Sequence, residues 1–139
     1  MPGGPTALGA QLQLDYITGR ALGYTAARNV YLALLTSAPL DNAGLSSLPE
    51  VTTAGYSRQQ ITWTPATLAK PSQSSNAGVV TFGPVSADMS TPVTHAALVT
   101  PQVGTTGDVL YTWALDVSQQ AVNGQALQIA IGKLTMSQS

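Results

Sequence analysis

The stretch from Asp108 to Met136 constrains the fold more than any other part of the chain, because its apolar residues alternate with polar ones. In its first part the apolar side chains occupy odd positions: Val109, Tyr111, Trp113, Leu115 and Val117. A period of two is typical of a strand with one buried face. Beyond the dipeptide Asn123-Gly124, which suits a tight turn, the odd pattern returns at Leu127, Ile129 and Ile131. The stretch therefore predicts two long strands that form an antiparallel hairpin.

The parity of the apolar residues changes at Gly132. Before this glycine they lie at odd positions, and after it the pattern continues at Leu134 and Met136. A slip of one residue at a glycine is typical of a β-bulge. We therefore expect a bulge at Gly132 in the second strand.

Four earlier segments also have strand patterns, and turn signals separate them: residues 29–37, 55–64, 78–83 and 93–100. The first segment is apolar on both parities, so we expect both of its faces to be covered. One face would meet an opposing sheet, and the other would meet the helix or a neighbouring chain. The third segment places Val80 and Phe82 on one side. Two intervening segments, 40–53 and 66–77, are polar and indicate surface loops.

The N-terminal part of the chain predicts an arm followed by a helix. Residues 1–9 form a Gly/Pro-rich arm for which we expect no local structure of its own. An amphipathic helix is expected over residues 10–23, with Thr6 as a cap and Gly23 as its end. Its apolar stripe would consist of Ala10, Leu14, Ile17 and Ala21, widened by Leu8, Leu12 and Tyr16.

One helix followed by many short strands predicts a mainly β fold. We expect a single antiparallel β-sandwich of about six to eight strands, over residues 29–136, with one N-terminal amphipathic helix. The chain has 139 residues, a length expected for one domain. The sequence contains neither internal repeats nor heptads.

Charged residues are scarce. They make up 8% of the sequence and leave a net charge of −1, whereas about 25% is usual. Copies of such a chain repel one another weakly, so the composition favours a protein that packs against neighbours. The basic residues are scattered, and nucleic-acid binding needs several clustered phosphate contacts. Neither a membrane-spanning apolar run nor a signal peptide is recognisable, so we expect no nucleic-acid or membrane partner.

The sequence shows no recognisable catalytic or metal-binding pattern. His95 is the single histidine and cysteine is absent, which does not suit a multi-histidine zinc site; we expect a hydrogen-bonded, structural His95. The acidic residues are dispersed, and Asp41-Asn42 is more typical of a turn than of a calcium loop. No serine lies in a Gly-x-Ser-x-Gly turn. We expect a protein that is not an enzyme and that has no cofactor and no metal.

The large aromatic residues and one arginine have two interpretations each. Trp63 and Trp113 are expected in the core, with stacking on carbohydrate as the alternative. Arg58 lies close to Tyr56 on a predicted strand. We expect Arg58 in a surface ion pair or at an interface, where arginine is favoured.

Several segments carry a resemblance to a known family. They are Tyr31-Leu-Ala-Leu-Leu-Thr-Ser-Ala-Pro39, Glu50-Val with Gly55-Tyr-Ser-Arg58, Asn76-Ala-Gly-Val-Val-Thr-Phe82, Val93-Thr-His-Ala-Ala-Leu98, Leu110-Tyr-Thr-Trp-Ala-Leu115 and Val122-Asn-Gly-Gln-Ala-Leu127. In this order, over residues 8–136, they resemble a family of tailed-phage virion structural proteins with a small β-sandwich domain. Its members are often labelled tail fibre proteins, and related small proteins decorate phage heads. The resemblance implies no catalytic residue.

The resemblance and the composition together lead to a functional expectation. We expect a virion protein, assembled in the host cytoplasm, that acts as a capsid decoration or cement protein and stabilises capsid subunits by bridging them. Its partners would be the major capsid protein and copies of itself, in a symmetric homo-oligomer such as a trimer. Candidate interface residues are Pro2, Pro5, Leu8, Leu12, Tyr16, Tyr56 and Arg58.

The alternative is a minor tail protein, a tail fibre or a tip protein. In that case exposed aromatic residues and the loops 40–53 and 66–77 would contact a receptor on the host surface. Copy number separates the two, because a head protein is present in many copies and a tail protein in few.

Overall fold

The computed structural model describes residues 3–18, 29–68 and 72–138. These residues contain helix α1 (Ala7–Thr18), a short 3-10 turn at Leu45–Ser47 and nine strands. The strands are β1 (Gly3–Pro5), β2 (Val30–Leu35), β3 (Gln59–Ile61), β4 (Ser72–Ser75), β5 (Val80–Phe82), β6 (Val93–Val99), β7 (Val109–Gln119), β8 (Leu127–Ile129) and β9 (Thr135–Gln138).

The strands form three antiparallel sheets. The largest has the order β1-β7-β6-β2-β3, and the two smaller sheets are the pairs β4-β9 and β5-β8. This arrangement confirms the mainly β, sandwich-like fold with a short N-terminal helix. The nine strands exceed the expected six to eight for three reasons: β1 lies in the predicted arm, β4 lies in the predicted loop 66–77, and the last predicted strand is divided into β8 and β9.

The main core lies between the five-stranded sheet and the two smaller sheets. Alternate residues of the large sheet point into it. The small sheets contribute Val80, Phe82, Leu127 and Ile129, and the turn between β8 and β9 contributes Leu134. Trp113, Phe82 and Leu32 are among its fully buried side chains. The prediction that Val80 and Phe82 share one buried side is therefore confirmed.

A second apolar cluster lies on the opposite face of the large sheet. It consists of Ala33, Leu35, Leu45, Ala97, Val99 and Val109, with Tyr31 and Leu48 packed against it. Strand β2 is thus buried on both faces, as predicted. Leu45 and Leu48, from the segment 40–53 that was predicted as a surface loop, cover part of this second face. The expected cover by the helix or a neighbouring chain stays a prediction.

The predicted hairpin is wrong. Strand β7 pairs with β6 on one side and with β1 on the other, whereas β8 pairs with β5. The Asn123-Gly124 turn is closed by a hydrogen bond from Gln125 N to Val122 O at 2.9 Å. Gly124 has φ +90°, but Asn123 does not have a positive φ. A two-residue hairpin of type I′ requires positive φ at both positions.

The expected bulge at Gly132 is also wrong, because Gly132 lies in a turn. Lys133 N donates to Ala130 O at 3.3 Å, and Gly132 has φ +75°. This turn separates β8 from β9, so the predicted second strand is two strands in different sheets. The change of parity therefore marks a change of sheet.

Candidate interaction surface

Arg58 and Glu50 form a bidentate ion pair beside the start of β3. Arg58 Nε lies 2.9 Å from Glu50 Oε2, and Arg58 Nη2 lies 2.7 Å from Glu50 Oε1. Glu50 is placed there by its β-bridge with Leu35. Because the Arg58 side chain is 7% exposed and that of Glu50 20%, water screens this pair less than it screens an ordinary surface pair.

Tyr56 joins the same cluster through its hydroxyl group. The Tyr56 hydroxyl donates to Glu50 Oε2 at 2.7 Å and accepts a hydrogen bond from Leu34 N at 3.0 Å. Burial raises the pKa of the Tyr56 phenol, and the hydrogen bond and negative charge of Glu50 raise it further. The hydrogen bond to Glu50 likewise raises the pKa of the Arg58 guanidinium. Tyr56 is therefore neutral and Arg58 is charged over the whole physiological range.

The remaining nitrogen of Arg58 holds the turn between β6 and β7. Arg58 Nη1 donates to Gly104 O at 2.9 Å and to Pro101 O at 3.3 Å. One arginine thus connects Glu50 to a turn more than 40 residues away in sequence. The expected ion pair of Arg58 exists, but it is inside the molecule and not on its surface. The interface role predicted for Tyr56 and Arg58 stays a prediction, and most of their polar groups already bond within the chain.

The N-terminal arm is part of the large sheet. Gly3, Gly4 and Pro5 pair with Trp113, Thr112 and Tyr111 of β7, which corrects the expectation of an arm without structure. The predicted cap is present, because the Thr6 hydroxyl accepts a hydrogen bond from Gly9 N at 3.1 Å and donates to Val109 O at 2.6 Å. Helix α1 begins at Ala7, three residues earlier than predicted. Its predicted end at Gly23 lies outside the described residues.

The structure describes the side chains of only some of the predicted interface residues of this segment. Pro5 is exposed and Leu8 is half-buried. Leu14, which the predicted stripe would bury, is 62% exposed. Pro2 lies outside the described residues, and the side chains of Leu12 and Tyr16 are not described. Their interface role therefore stays a prediction.

The histidine and the two tryptophans that could have served in catalysis, metal binding or carbohydrate stacking make contacts within the fold. His95 is half-buried, and its Nδ1 lies 2.9 Å from the Thr94 hydroxyl. Among the described residues no group of three or more histidine and acidic side chains is placed to hold a metal ion. Trp113 is 1% exposed and donates from Nε1 to Thr135 O at 3.0 Å. Trp63 is partly buried and stacks on Trp113, with ring centroids 5.7 Å apart, which agrees with the core interpretation.

Asn76 is the important polar residue that sequence reasoning missed. The sequence predicts a surface loop at this position, yet Asn76 is fully buried. Its amide nitrogen donates to Gly78 O at 2.8 Å and to Ala130 O at 2.9 Å, and its Oδ1 accepts from Leu134 N at 3.0 Å. Asn76 therefore fixes the turn between β8 and β9. A single asparagine after a run of serines carries no sequence signal for this role.

The described part of the chain has no helix that is both long and apolar enough to cross a membrane.

The fold and these contacts define a class of protein: a β-rich, sandwich-like protein in which the buried Thr6, Arg58 and Asn76 hold its own strands and turns together. Comparison with known families gives the particular group. A family model described as the podophage GP4 fiber I protein gp80 matches residues 6–137. The chain belongs to this family, and it is a structural protein of a tailed-phage virion. Its resemblance to tailed-phage virion structural proteins is thereby confirmed. No curated protein matches the chain.

Proposed function

We propose that this chain is a fibre component of a podophage virion and that it acts there as a non-enzymatic structural module. The observation that carries the proposal is the family match, which spans residues 6–137 and is described by the word fibre. The sequence-based preference for a head protein, which rested on the size of a single domain, is replaced in this proposal because the family description names a fibre protein. The proposed location is the virion.

The contacts support a rigid module. Arg58 joins Glu50 to the carbonyl groups of the 101–104 turn, and Asn76 joins β4 to the β8–β9 turn. Such internal bonds keep loops in one conformation, which lowers the entropy cost of binding a partner. Large apolar side chains that are at least half exposed remain for contacts with neighbours: Leu14, Leu40, Leu68, Val79, Val103, Val117, Val122 and Ile131.

The proposed partners are copies of this chain in a symmetric oligomer, together with neighbouring virion proteins. Pro5 and Leu8 lie on the N-terminal segment at the β1 edge of the large sheet, where an attachment surface for the rest of the fibre is proposed. Pro2, Leu12 and Tyr16 belong to the same proposal. A host-surface receptor, bound through exposed loops, is a further proposed partner of the fibre.

Capsid decoration is the second candidate function. The observation that favours it is the absence of repeats and heptads from the sequence, since elongated fibre shafts are commonly built from such elements. In this case the chain would bridge subunits of the major capsid protein. Bound copies would then stabilise the capsid against heat by mass action.

Antibody labelling of intact particles separates the two functions. Antibodies raised against the purified chain are coupled to gold and located by electron microscopy. Label on the fibres supports the proposal, and label spread over the head surface supports decoration. Preincubation of host cells with the purified chain then tests receptor contact: slower adsorption of the phage is expected for a fibre tip, and unchanged adsorption places the chain away from the tip.

A further inference from the structure

The turn between β8 and β9 carries an exposed apolar side chain and an exposed basic one. Ile131 is 63% exposed, and Lys133, two residues later, is exposed as well. Within residues 3–18, 29–68 and 72–138, Lys133 is the single basic side chain at the surface, because Arg58 is buried. The ammonium group of Lys133 forms no ion pair or hydrogen bond with another described residue. The turn therefore has a positive charge that is available to a partner.

Internal hydrogen bonds hold this turn in one conformation. The Asn76 side chain donates to Ala130 O at 2.9 Å, and Gly132 N donates to Asn76 O at 3.2 Å. Lys133 N closes the turn by donating to Ala130 O at 3.3 Å. A preformed turn loses little conformational entropy when a partner binds it.

A groove of about 340 Å³ lies between the start of α1 and the start of β7. Its apolar lining includes Leu8, Ala43 and Val109, and Asp41 also lines it. Asp41 is exposed, and its carboxylate has no ion pair or hydrogen bond with another described residue. Asp108 lines the groove too, but it already interacts within the molecule. We therefore assign the available negative charge of the groove to Asp41.

The walls of the groove are also fixed, and its size limits what it can hold. Ala7 N donates to Asp41 O at 3.1 Å, and the Thr6 hydroxyl donates to Val109 O at 2.6 Å. Pockets for small molecules have volumes from about 300 Å³ upward, so this groove is a small one. It suits one or two side chains of a partner.

The turn and the groove lie toward opposite ends of β7. Val109, at the start of β7, lines the groove. Lys133 lines a shallow cavity together with Val117 and Gln119, near the end of β7. Along an extended strand, Val109 and Val117 are about 25 Å apart. The turn therefore cannot enter the groove of its own chain, whereas the groove of a second copy is open to it.

We propose that the β8–β9 turn of one copy docks in the α1–β7 groove of a second copy. Ile131 would pack against the apolar lining, and Lys133 would lie close to Asp41 of the second copy, so that opposite charges meet. The two surfaces differ, so the contact repeats from copy to copy in a symmetric ring or an open row. The proposal goes beyond the proposed function, because such a contact would serve a fibre protein and a head protein alike.

Exchange of the two charges tests the proposal on the full chain. Lys133→Glu and Asp41→Lys each place like charges at the contact. Each should raise the concentration at which the chain associates by about tenfold. The double variant Asp41→Lys/Lys133→Glu restores opposite charges and should associate at close to the natural concentration. Light scattering over a series of protein concentrations measures the mean mass, and circular dichroism checks that each variant is folded.

The matched control is Asp88→Lys, which makes the same change of charge as Asp41→Lys at an exposed residue that lines neither surface. It should associate like the natural chain. A natural chain that is monomeric at every concentration would overturn the proposal. Folded single variants that associate like the natural chain would also overturn it, and so would a folded double variant that associates no better than the single ones.

Disulfide linkage gives a second measurement, since the natural chain contains no cysteine. Ile131→Cys and Ala43→Cys, which carry tags of different mass, are mixed in equal amounts under mild oxidation. Docking raises the effective concentration of one thiol near the other, so the mixed dimer should exceed each homodimer by about tenfold. A mixed dimer at only the statistical proportion of two to one would overturn the proposal.

Discussion

Gly9 of α1 packs directly against the carbonyl oxygen of Leu110 in β7, and a β-carbon at position 9 would overlap that oxygen. Alanine is otherwise the better helix residue, by about 1 kcal/mol. We nevertheless expect Gly9→Ala to lower the free energy of unfolding by about 1–3 kcal/mol, because the helix must move away from the sheet. Urea denaturation measures this change.

Gly4→Ala is the matched control for this prediction. Gly4 lies in β1 next to the same strand, and a β-carbon there would meet nothing within 4 Å. Its expected effect is within about 0.5 kcal/mol of zero. A stabilised Gly9→Ala protein would mean that α1 does not dock on β7 as described.

Asn76 holds the β8–β9 turn through its side chain, so its removal should be costly. Asn76→Ala leaves Leu134 N and the carbonyl oxygens of Gly78 and Ala130 without their side-chain partner in a buried place. We expect a loss of about 2–4 kcal/mol in the free energy of unfolding. The exposed Asn42→Ala is the control, with little expected change. Equal effects of the two variants would contradict the role given to Asn76.

The ion pair of Arg58 and Glu50 predicts a similar loss. Arg58→Met keeps much of the side-chain volume. It removes the positive charge that pairs with the Glu50 carboxylate, which is largely shielded from water. The expected cost is about 2–4 kcal/mol, in keeping with broken buried pairs and with the partial exposure of Glu50. Lys133→Met, on the exposed surface, should change stability little. Comparison of the two by urea denaturation checks whether burial of the pair decides its contribution.

The raised pKa of the Tyr56 phenol predicts a loss of stability at alkaline pH. Its phenol has a raised pKa in the folded chain, chiefly through burial, whereas an unfolded tyrosine ionises near pH 10. The contribution of this group is therefore fully present below about pH 10 and decreases as the pH rises above it. Between about pH 10 and 11.5, the natural chain should lose stability more steeply than Tyr56→Phe, by up to about 1.4 kcal/mol per pH unit. Parallel slopes for the two proteins would contradict a buried, protonated Tyr56.

Sequence reasoning succeeded where one local signal decided the structure. Val80 and Phe82 alternate and are buried on one side, and Thr6 caps the helix that it precedes. The double-sided burial of β2 also followed from its uninterrupted apolar run. In each case the information lies within a few neighbouring residues.

Strand pairing could not be predicted in the same way. The alternation of β7 does not show that its partners are β1 and β6, because the partner strands are distant in sequence. Even the alternation misleads locally: Val109 packs in the second cluster, whereas Tyr111 packs in the main core. A register shift near Leu98 and Val99 separates them, and the shift depends on β6 as much as on β7.

The polar contacts of the candidate site could not be predicted from the sequence either. The sequence places Arg58 near Tyr56, but the long side chain of Arg58 binds Glu50 and the distant Gly104. Whether arginine meets a partner protein or its own chain depends on tertiary structure. Asn76 is the same kind of case, since two of its three side-chain partners, Ala130 and Leu134, lie more than 50 residues away.

The most direct test of the central claim is quantitative mass spectrometry of purified virions, with copies of this chain counted against the major capsid protein. For a structural fibre protein we predict that every preparation contains the chain at a fixed ratio of a few copies per particle. A ratio near one copy per capsid subunit would contradict the fibre location and favour decoration. Absence of the chain from purified particles would contradict its role as a virion structural protein.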